Sequence, residues 1–394
     1  MPAHRLEPTS AEELAAALAG AYGDAKTIEI AGHGSKRRLG GPRADADVEL
    51  NTAKLNSVLA YEPADLTISV QAGMPWAELS RLLAENNQMI PLDPPFANQA
   101  TVGGALASDS SGPRRRRYGT ARDMVIGMQF ATAEGKLVNS GGMVVKNVTG
   151  LDMAKLMIGS YGTLAAITTA NFKLFPRPVA ETTFVFRNAS AAKLVALRQE
   201  MLAGVAQPFA LDLLNAGAAQ ALGLEIDAPF ALLAKTEGSH AVVARYRSEY
   251  EALASRAGVE MTEPEPSGAD ALWAAIREFP STALEASPDA ALLRVATTAS
   301  KLTQAVETAP NDAWLLSRAA NAIVYLAFTS AEQARQTARA LRSAGFGVLA
   351  ESLPANSDLE RWSPDDAALA AMTRLKNAFD PERRLNPGRL FGRL

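Results

Sequence analysis

The sequence predicts an α+β protein built as two lobes, and three observations predict it. At 394 residues the chain is longer than a single hydrophobic core usually organises. Its character changes near residue 180, from a glycine-rich half with short strands to an alanine-rich half with longer amphipathic helices. After Pro176 and Pro178, strand-like and helical runs alternate, the pattern of a helix-backed antiparallel sheet forming a cap.

In the first half, Lys26 to Ile30 reads as a strand running into a turn at Gly32 to Lys36, and Leu66 to Gln71 as a second strand before a helix from about Pro75 to Asn87. Two glycine-dense loops follow, Thr101 to Gly119 and Gly141 to Gly162, separated by the strand-like Val125 to Thr132. Loops this rich in glycine let a backbone approach something closely. In the second half the strand-like runs are Thr182 to Phe186, Phe230 to Ala234, Leu292 to Ala296 and Ile323 to Phe328; the helical ones are Ala191 to Met201, His240 to Ala257 and Ala331 to Ala344. A last helix, Asp365 to Phe379, closes at Asp380-Pro381. No repeat of 20 to 50 residues stands out.

Composition excludes several functions. With 39 Lys plus Arg against 42 Asp plus Glu, the formal net charge is -3, far from the basic balance of a nucleic-acid-binding surface. Cysteine is absent, so this chain's own thiolates supply no disulfide, no nucleophile and no iron–sulfur ligand. The start, MPAHRLEPTSAEEL, has no apolar core of signal-peptide length, and no stretch approaches the roughly 20 apolar residues of a membrane span. The expectation is a soluble, cytoplasmic chain whose membrane contact, at the inner membrane, comes only through partner subunits.

The first chemical candidate is Ala31-Gly32-His33-Gly34-Ser35-Lys36, directly after a strand. Residues without Cβ let successive N–H groups close around an anionic oxygen such as a pyrophosphate's. The segment lacks both G-x-G-x-x-G and G-x-x-x-x-G-K-[ST], so neither common nucleotide fold is supported; alone, it also reads as an ordinary turn. More follows, because Thr101-Val102-Gly103-Gly104 precedes Ser108 to Ser111, Gly112-Pro113-Arg114-Arg115, Tyr118-Gly119 and Arg122-Asp123, a dense polar run for a core. Its hydroxyls and amides suit the polar atoms of a bound cofactor. Arg114 to Arg117 reads either as a solvated basic run or as a cofactor or partner contact.

The glycine turn, the Thr101 loop with its Gly-Pro-Arg-Arg extension, Val144 to Asp152 (VVKNVTGLD) and Leu156 to Leu164 (LMIGSYGTL) occur in the order seen in E subunits of glycolate oxidases. Phe379-Asp380-Pro381 and Leu385-Asn386-Pro387-Gly388-Arg389 continue the match. The chain thus resembles the PCMH-type FAD-binding family that includes vanillyl-alcohol oxidase and D-lactate dehydrogenase, over about residues 25 to 178 and 370 to 390 and only thinly across the cap. The resemblance implies a two-subdomain FAD-binding lobe over residues 1–178, a cap over 179–350, and a segment over 351–394 that returns to the FAD lobe. It also implies FAD as cofactor, with its isoalloxazine ring facing the cap. Gly32, His33, Gly34, Ser35 and Lys36 match the pyrophosphate loop; Thr101, Val102, Gly103, Gly104, Ser108, Ser111, Gly112 and Tyr118 the second FAD loop; Gly162 and Ile167 the third. Asn386 matches a residue near the flavin ring.

Two departures carry weight. His33 stands where E subunits more often have glycine; it is open to covalent attachment of FAD, to a phosphate hydrogen bond or to solvent, and the order Gly-His-Gly differs from the two glycines that precede a tethering histidine. Relatives that oxidise D-2-hydroxy acids carry a histidine-rich metal site, whereas this chain has only His4, His33 and His240, so no metal site is expected. Oxidation of a small hydroxy acid then needs another cation for the carboxylate and a base for the hydroxyl proton. Arg294, in Leu292-Leu293-Arg294-Val295, is the leading candidate, since alternation places it opposite its apolar neighbours and E subunits have a similar arginine-bearing strand; a solvent-facing arginine is the plainer reading. Lys146 is a second candidate, able to reach the cofactor or to cap the Gly150 turn. Arg318 and Tyr325 rank lower, and Trp273 and Trp314 read as core or interface residues.

The expected function is that of an FAD-containing subunit of a glycolate oxidase, a complex that oxidises 2-hydroxy acids such as glycolate, working with a D-type flavoprotein subunit that carries the hydroxy-acid site and an iron–sulfur subunit that removes electrons. A self-sufficient FAD-linked dehydrogenase and a non-catalytic flavin-holding assembly subunit are the alternatives.

Overall fold

A computed structural model describes residues 4–42, 45–143, 151–355 and 357–394. The chain divides into two compact units, one formed by Met1–Ser111, Tyr118–Arg177 and Trp362–Leu394, the other by Gly112–Arg117 and Pro178–Arg361. The second unit therefore takes in both the Gly-Pro-Arg-Arg extension and residues 351–361.

The first unit holds two main sheets. In the smaller, strands β1 (His4–Leu6), β2 (Ile28–Ala31) and β3 (Val48–Asn51) pair in parallel in the order β1-β3-β2. The helix Ala11–Gly23 joins β1 to β2, the two outer strands, and starts at Ser10, whose hydroxyl accepts the Glu13 amide at 3.1 Å. Its Leu14, Ala15, Leu18 and Ala21 bury against Ile28, Val48 and Leu50.

The larger sheet joins β4 (Val58–Glu62), β5 (Thr67–Gln71), β7 (Val125–Ala131), β8 (Leu137–Gly141) and β9 (Ala166–Lys173), all antiparallel, in the order β4-β5-β9-β7-β8. The short pair β6 (Gln88–Met89) and β10 (Phe175–Pro176) stands apart. Ile68, Val70, Phe130 and Phe172 bury on one side of the larger sheet, and the helix Trp76–Ala84 closes it with Trp76 edge-on to Phe172 at 6.4 Å. That helix stops short of the expected Asn87, which takes a left-handed conformation at φ +53°. The first glycine-dense loop is also not all loop. Val102–Ala107 is helical, with the Thr101 hydroxyl accepting the Gly104 amide at 3.2 Å.

The second unit is one eight-stranded antiparallel sheet of β11 (Ala180–Asn188), β12 (Ala210–Asn215), β13 (Phe230–Gly238), β14 (Glu260–Thr262), β15 (Ala291–Ala296), β16 (Trp314–Arg318), β17 (Ile323–Phe328) and β18 (Gly347–Ser352), ordered β14-β11-β13-β12-β16-β17-β15-β18. One face is apolar. Phe184, Phe186, Leu213, Leu232, Leu293 and Leu326 bury there under the helices Ala191–Ala203, His240–Ala257, Leu302–Thr308 and Ala331–Ser343. Three of these helices agree with the sequence pattern; Leu302–Thr308 is not among the helical runs read from it, and the two strands at the centre of the sheet, β12 and β16, are not among the strand-like runs.

Candidate cofactor site

Three backbone segments of the first unit line one cleft of about 810 Å³, counted to its open mouth. They are the turn after β2, the Thr101 helix start, and the turn at Tyr161-Gly162; the tail residues Asn386 and Arg389 complete it.

The turn after β2 carries the chemistry. Gly32, His33, Gly34 and Ser35 all line the cleft, and their amides donate to no other group among the described residues. Four successive amides left over beside a cleft suit an anion. Lys36 also lines the cleft, its ammonium 3.4 Å from the Pro95 carbonyl and 5.5 Å from the Phe96 ring centre. His33 is exposed. Arg389 fixes the far side of the turn, donating to the carbonyls of Arg37 at 3.1 Å, Gly41 at 2.6 Å and Lys36 at 3.2 Å.

The Thr101 segment contributes closeness rather than donors. Thr101, Gly103, Gly104 and Ser108 line the cleft. The Gly103 amide is already given to the Ala72 carbonyl at 2.7 Å, the Val102 amide to Met74 at 2.9 Å, and the Ser108 hydroxyl to the Gly104 carbonyl at 2.7 Å. Val102 is fully buried in the core, and neither Ser111 nor Gly112 nor Tyr118 is part of the lining. Tyr118 packs edge-on to Phe175 at 5.2 Å, and Gly112 belongs to the second unit.

Gly162 and Ile167 line the third side. Tyr161 and Gly162 are both left-handed, at φ +54° and +70°, and a Cβ on Gly162 would run into the Asn386 side-chain amide. Asn386 is the stitch. Its side-chain oxygen accepts the Ile30 amide at 2.6 Å and its Nδ2 donates to the Tyr161 carbonyl at 2.6 Å. Its own φ of +43° is one that asparagine tolerates better than most residues. Asn386→Ala removes both of these hydrogen bonds, at about 0.5–1.5 kcal/mol each; the expected result is at least a tenfold weaker hold on flavin, read by titrating the apoprotein with FAD.

Glu29, Arg37, Thr52, Ala107, Tyr161, Ala165 and Arg389 also line the cleft and were not foreseen. Arg389 and Tyr161 had a signal, their places in Leu385 to Arg389 and in Leu156 to Leu164. Arg37 is turned to Glu49 at 2.8 Å and Glu29 at 3.7 Å.

Lys146 lies outside the described residues. The basic run Arg114 to Arg117 is neither simply solvated nor part of the cleft lining. Arg114 pairs with the buried Glu237 at 2.8 Å, Arg116 reaches Gln207 at 3.4 Å, and the Arg117 guanidinium sits 5.0 Å from the Phe209 ring centre. Arg294 lies on the sheet face opposite the helix-backed core, with its Nε 3.2 Å from Glu351. Trp273 is a core residue, donating to the Thr183 hydroxyl at 2.8 Å. Among the described residues no group of three or more His, Cys, Asp or Glu could hold a metal ion.

Four amides without a partner among the described residues, glycine backbone and the residues Asn386 and Arg389 thus line one cleft. Residues 2–141 match an FAD binding domain, and residues 355–390 match the C-terminal domain of FAD linked oxidases. These two domains are shared with PCMH-type FAD oxidases, and FAD is the cofactor. It is 37% identical over 159 residues to the glycolate oxidase subunit GlcE of Escherichia coli (strain K12), covering 40% of this chain and 45% of that one. It is 30% identical over 210 residues to the glycolate oxidase subunit GlcD of Bacillus subtilis (strain 168), covering 51% and 44%. The chain thus matches less than half the length of these relatives. The solved 4-ethylphenol oxidase from Gulosibacter chungangensis shares the fold, with a TM-score of 0.76 at 16% identity over 98% of this chain and 88% of that one. So does an alkyldihydroxyacetonephosphate synthase, at a TM-score of 0.73 and 18% identity over 97% and 76%.

Proposed function

We propose that this chain is the FAD-holding subunit of a glycolate-oxidising complex, converting a small 2-hydroxy acid to its 2-oxo acid. The observation that carries the reading is the row of open amides from Gly32 to Ser35, joined to similarity with a glycolate oxidase subunit. The amides of Gly32, His33, Gly34 and Ser35 would hold the pyrophosphate, with Lys36 adding positive charge. Thr101, Gly103, Gly104 and Ser108 would border the cofactor on the second side, and Gly162, Ile167 and Asn386 on the third. Bound FAD supplies a two-electron acceptor for hydride. Arg294 would orient the substrate carboxylate, a task that needs a fixed cation.

A chain without cysteine cannot pass electrons through an iron–sulfur cluster held by its own thiolates. A D-type flavoprotein subunit and an iron–sulfur subunit complete the proposed assembly. Among the described residues no helix is long and apolar enough to cross a membrane, so membrane association would run through those partners.

The test is anaerobic. The chain, alone and with its partner subunits, is expected to show a flavin absorption spectrum, and glycolate is expected to bleach it in the assembly. Bleaching in the isolated chain would make it a self-sufficient dehydrogenase. Flavin that no 2-hydroxy acid bleaches in either preparation would leave it a flavin-holding subunit.

A further inference from the structure

The open amides of the turn after β2 owe their direction to what holds the carbonyls beside them. In a planar trans peptide the C=O of one residue and the N–H of the next point opposite ways, so a carbonyl held on one side turns the following amide to the other. The Ala31 carbonyl accepts the Thr52 amide at 2.8 Å, the Gly32 carbonyl accepts the Asn51 Nδ2 at 3.0 Å, and the Gly34 carbonyl accepts the Arg37 amide at 3.1 Å. The amides of Gly32 and His33 are thereby turned away from the end of β3, and that of Ser35 away from the Arg37 amide. In this turn only the His33 carbonyl, whose plane carries the Gly34 amide, accepts no hydrogen bond among the described residues.

Thr52 and Arg37 hold their carbonyls through backbone amides, which every residue but proline has. Asn51 is the anchor whose hold depends wholly on its side chain. It is 2% exposed at the end of β3, and both ends of its amide are used. Nδ2 also donates to Glu49 Oε1 at 3.1 Å, and Oδ1 accepts the Ala53 amide at 2.9 Å. Two acceptors on the nitrogen side and a donor on the oxygen side leave the side-chain amide one orientation. The buried Glu49 also accepts the Arg37 guanidinium at 2.8 Å, and Arg37 is the residue whose backbone amide holds Gly34. Asn51, Glu49 and Arg37 thus join both ends of the turn in one closed set of hydrogen bonds. All of it lies in the first unit, and Gly32 to Arg37 line the cleft.

We propose that Asn51 is a positioning residue for the FAD pyrophosphate, fixing the Gly32–His33 peptide plane so that the His33 amide is held ready for a phosphate oxygen. The proposal rests on the placement of the pyrophosphate at Gly32 to Ser35 given above. An amide aimed in advance binds an anion at less cost than one that must first be oriented, and a hydrogen bond to an ionised oxygen is among the stronger ones. Without Asn51 the Gly32 carbonyl has no other partner among the described residues. The plane would then turn about Gly32, whose backbone is the least restrained of any residue type. The glycine that admits close approach therefore needs an external anchor, and Asn51 supplies it.

The experiment compares the full chain of wild type and of Asn51→Ala by titrating each apoprotein with FAD and by recording the phosphorus NMR resonances of bound FAD, with folding checked by thermal melting. Asn51→Ala is expected to bind FAD about tenfold or more weakly, as the loss of one charge-assisted hydrogen bond implies, and to displace the phosphorus resonances of bound FAD from their wild-type positions. Weaker binding with wild-type phosphorus resonances would mean that Asn51 supports the fold and not the pyrophosphate, and would overturn the proposal; so would wild-type affinity. A wild-type chain whose bound FAD keeps the phosphorus resonances of free FAD would remove the pyrophosphate from the turn and overturn the placement as well. Should Asn51→Ala fail to fold, Asn51→Asp decides, because aspartate keeps the shape and the oxygen that accepts the Ala53 amide but has no hydrogen to give Gly32. Weakened binding with displaced resonances in that variant supports the assignment, and wild-type resonances refute it.

Discussion

Gly32→Val is expected to yield a folded chain that purifies without flavin. A Cβ at position 32 would meet the Thr101 side chain on three atoms, its methyl carbon at 2.9 Å. Thr101 has little room to yield, because it is 2% exposed and its hydroxyl caps the helix Val102–Ala107. The turn must shift instead, and with it the four amides of Gly32 to Ser35 that border the cleft. We expect FAD affinity to fall by at least 100-fold, about 2.7 kcal/mol, while circular dichroism stays that of wild type. The check is the ratio of flavin to protein absorbance, followed by titration with added FAD. Stoichiometric flavin in this variant would contradict the placement of the pyrophosphate at Gly32 to Ser35.

Lys376→Met has the larger expected effect on stability. Lys376 and Asp380 are 1% and 0% exposed and form an ion pair, and the same ammonium donates to the carbonyls of Thr163 at 2.7 Å and Leu385 at 3.0 Å. Asp380 in turn accepts the amides of Leu385 at 2.8 Å and Arg384 at 3.0 Å. Methionine fills the volume but leaves a buried carboxylate without its cation, a loss of about 3–5 kcal/mol. The expected melting temperature falls by roughly 10 °C. Lys376→Met/Asp380→Asn should recover part of that loss, and the double-mutant cycle isolates the coupling. A change below about 1 kcal/mol in Lys376→Met would mean that water reaches the pair. Thr163 adjoins the Tyr161-Gly162 turn and Leu385 adjoins Asn386, so excess FAD should raise the variant's melting temperature by mass action.

Much of the cofactor cleft was legible because glycine has a local cause. Gly32 and Gly162 announce places where a Cβ cannot fit, and the residues around them belong to contiguous motifs. The cap was legible only in part. Helices such as His240–Ala257 show their apolar stripe and their Ser239 cap in sequence, but β12 (ALDLLN) and β16 (WLLSR) do not alternate like half-buried strands. Their strand character comes from neighbours on both sides, a tertiary effect that overrides local preference. Arg294 stood out as a charge in an apolar strand. The bulge at Glu351 did not, because it is set by pairing with residues some sixty positions away. The Lys376–Asp380 pair and the clamp by Arg389 were equally hidden: nothing in a lysine's sequence neighbourhood says that its head will be buried among carbonyls.

The stitch between β2 and the tail has a bearing on how the protein is made. Ile28 donates its amide to the Arg384 carbonyl at 2.8 Å and accepts the Asn386 amide at 2.9 Å, so the tail runs beside β2 as an added parallel partner. During synthesis that edge is translated more than 350 residues before the segment that covers it. A nascent chain therefore carries an open strand edge beside Ile28, and an incomplete cleft, until residues 384–389 have been made and paired, and until then that edge is open to pairing with other chains.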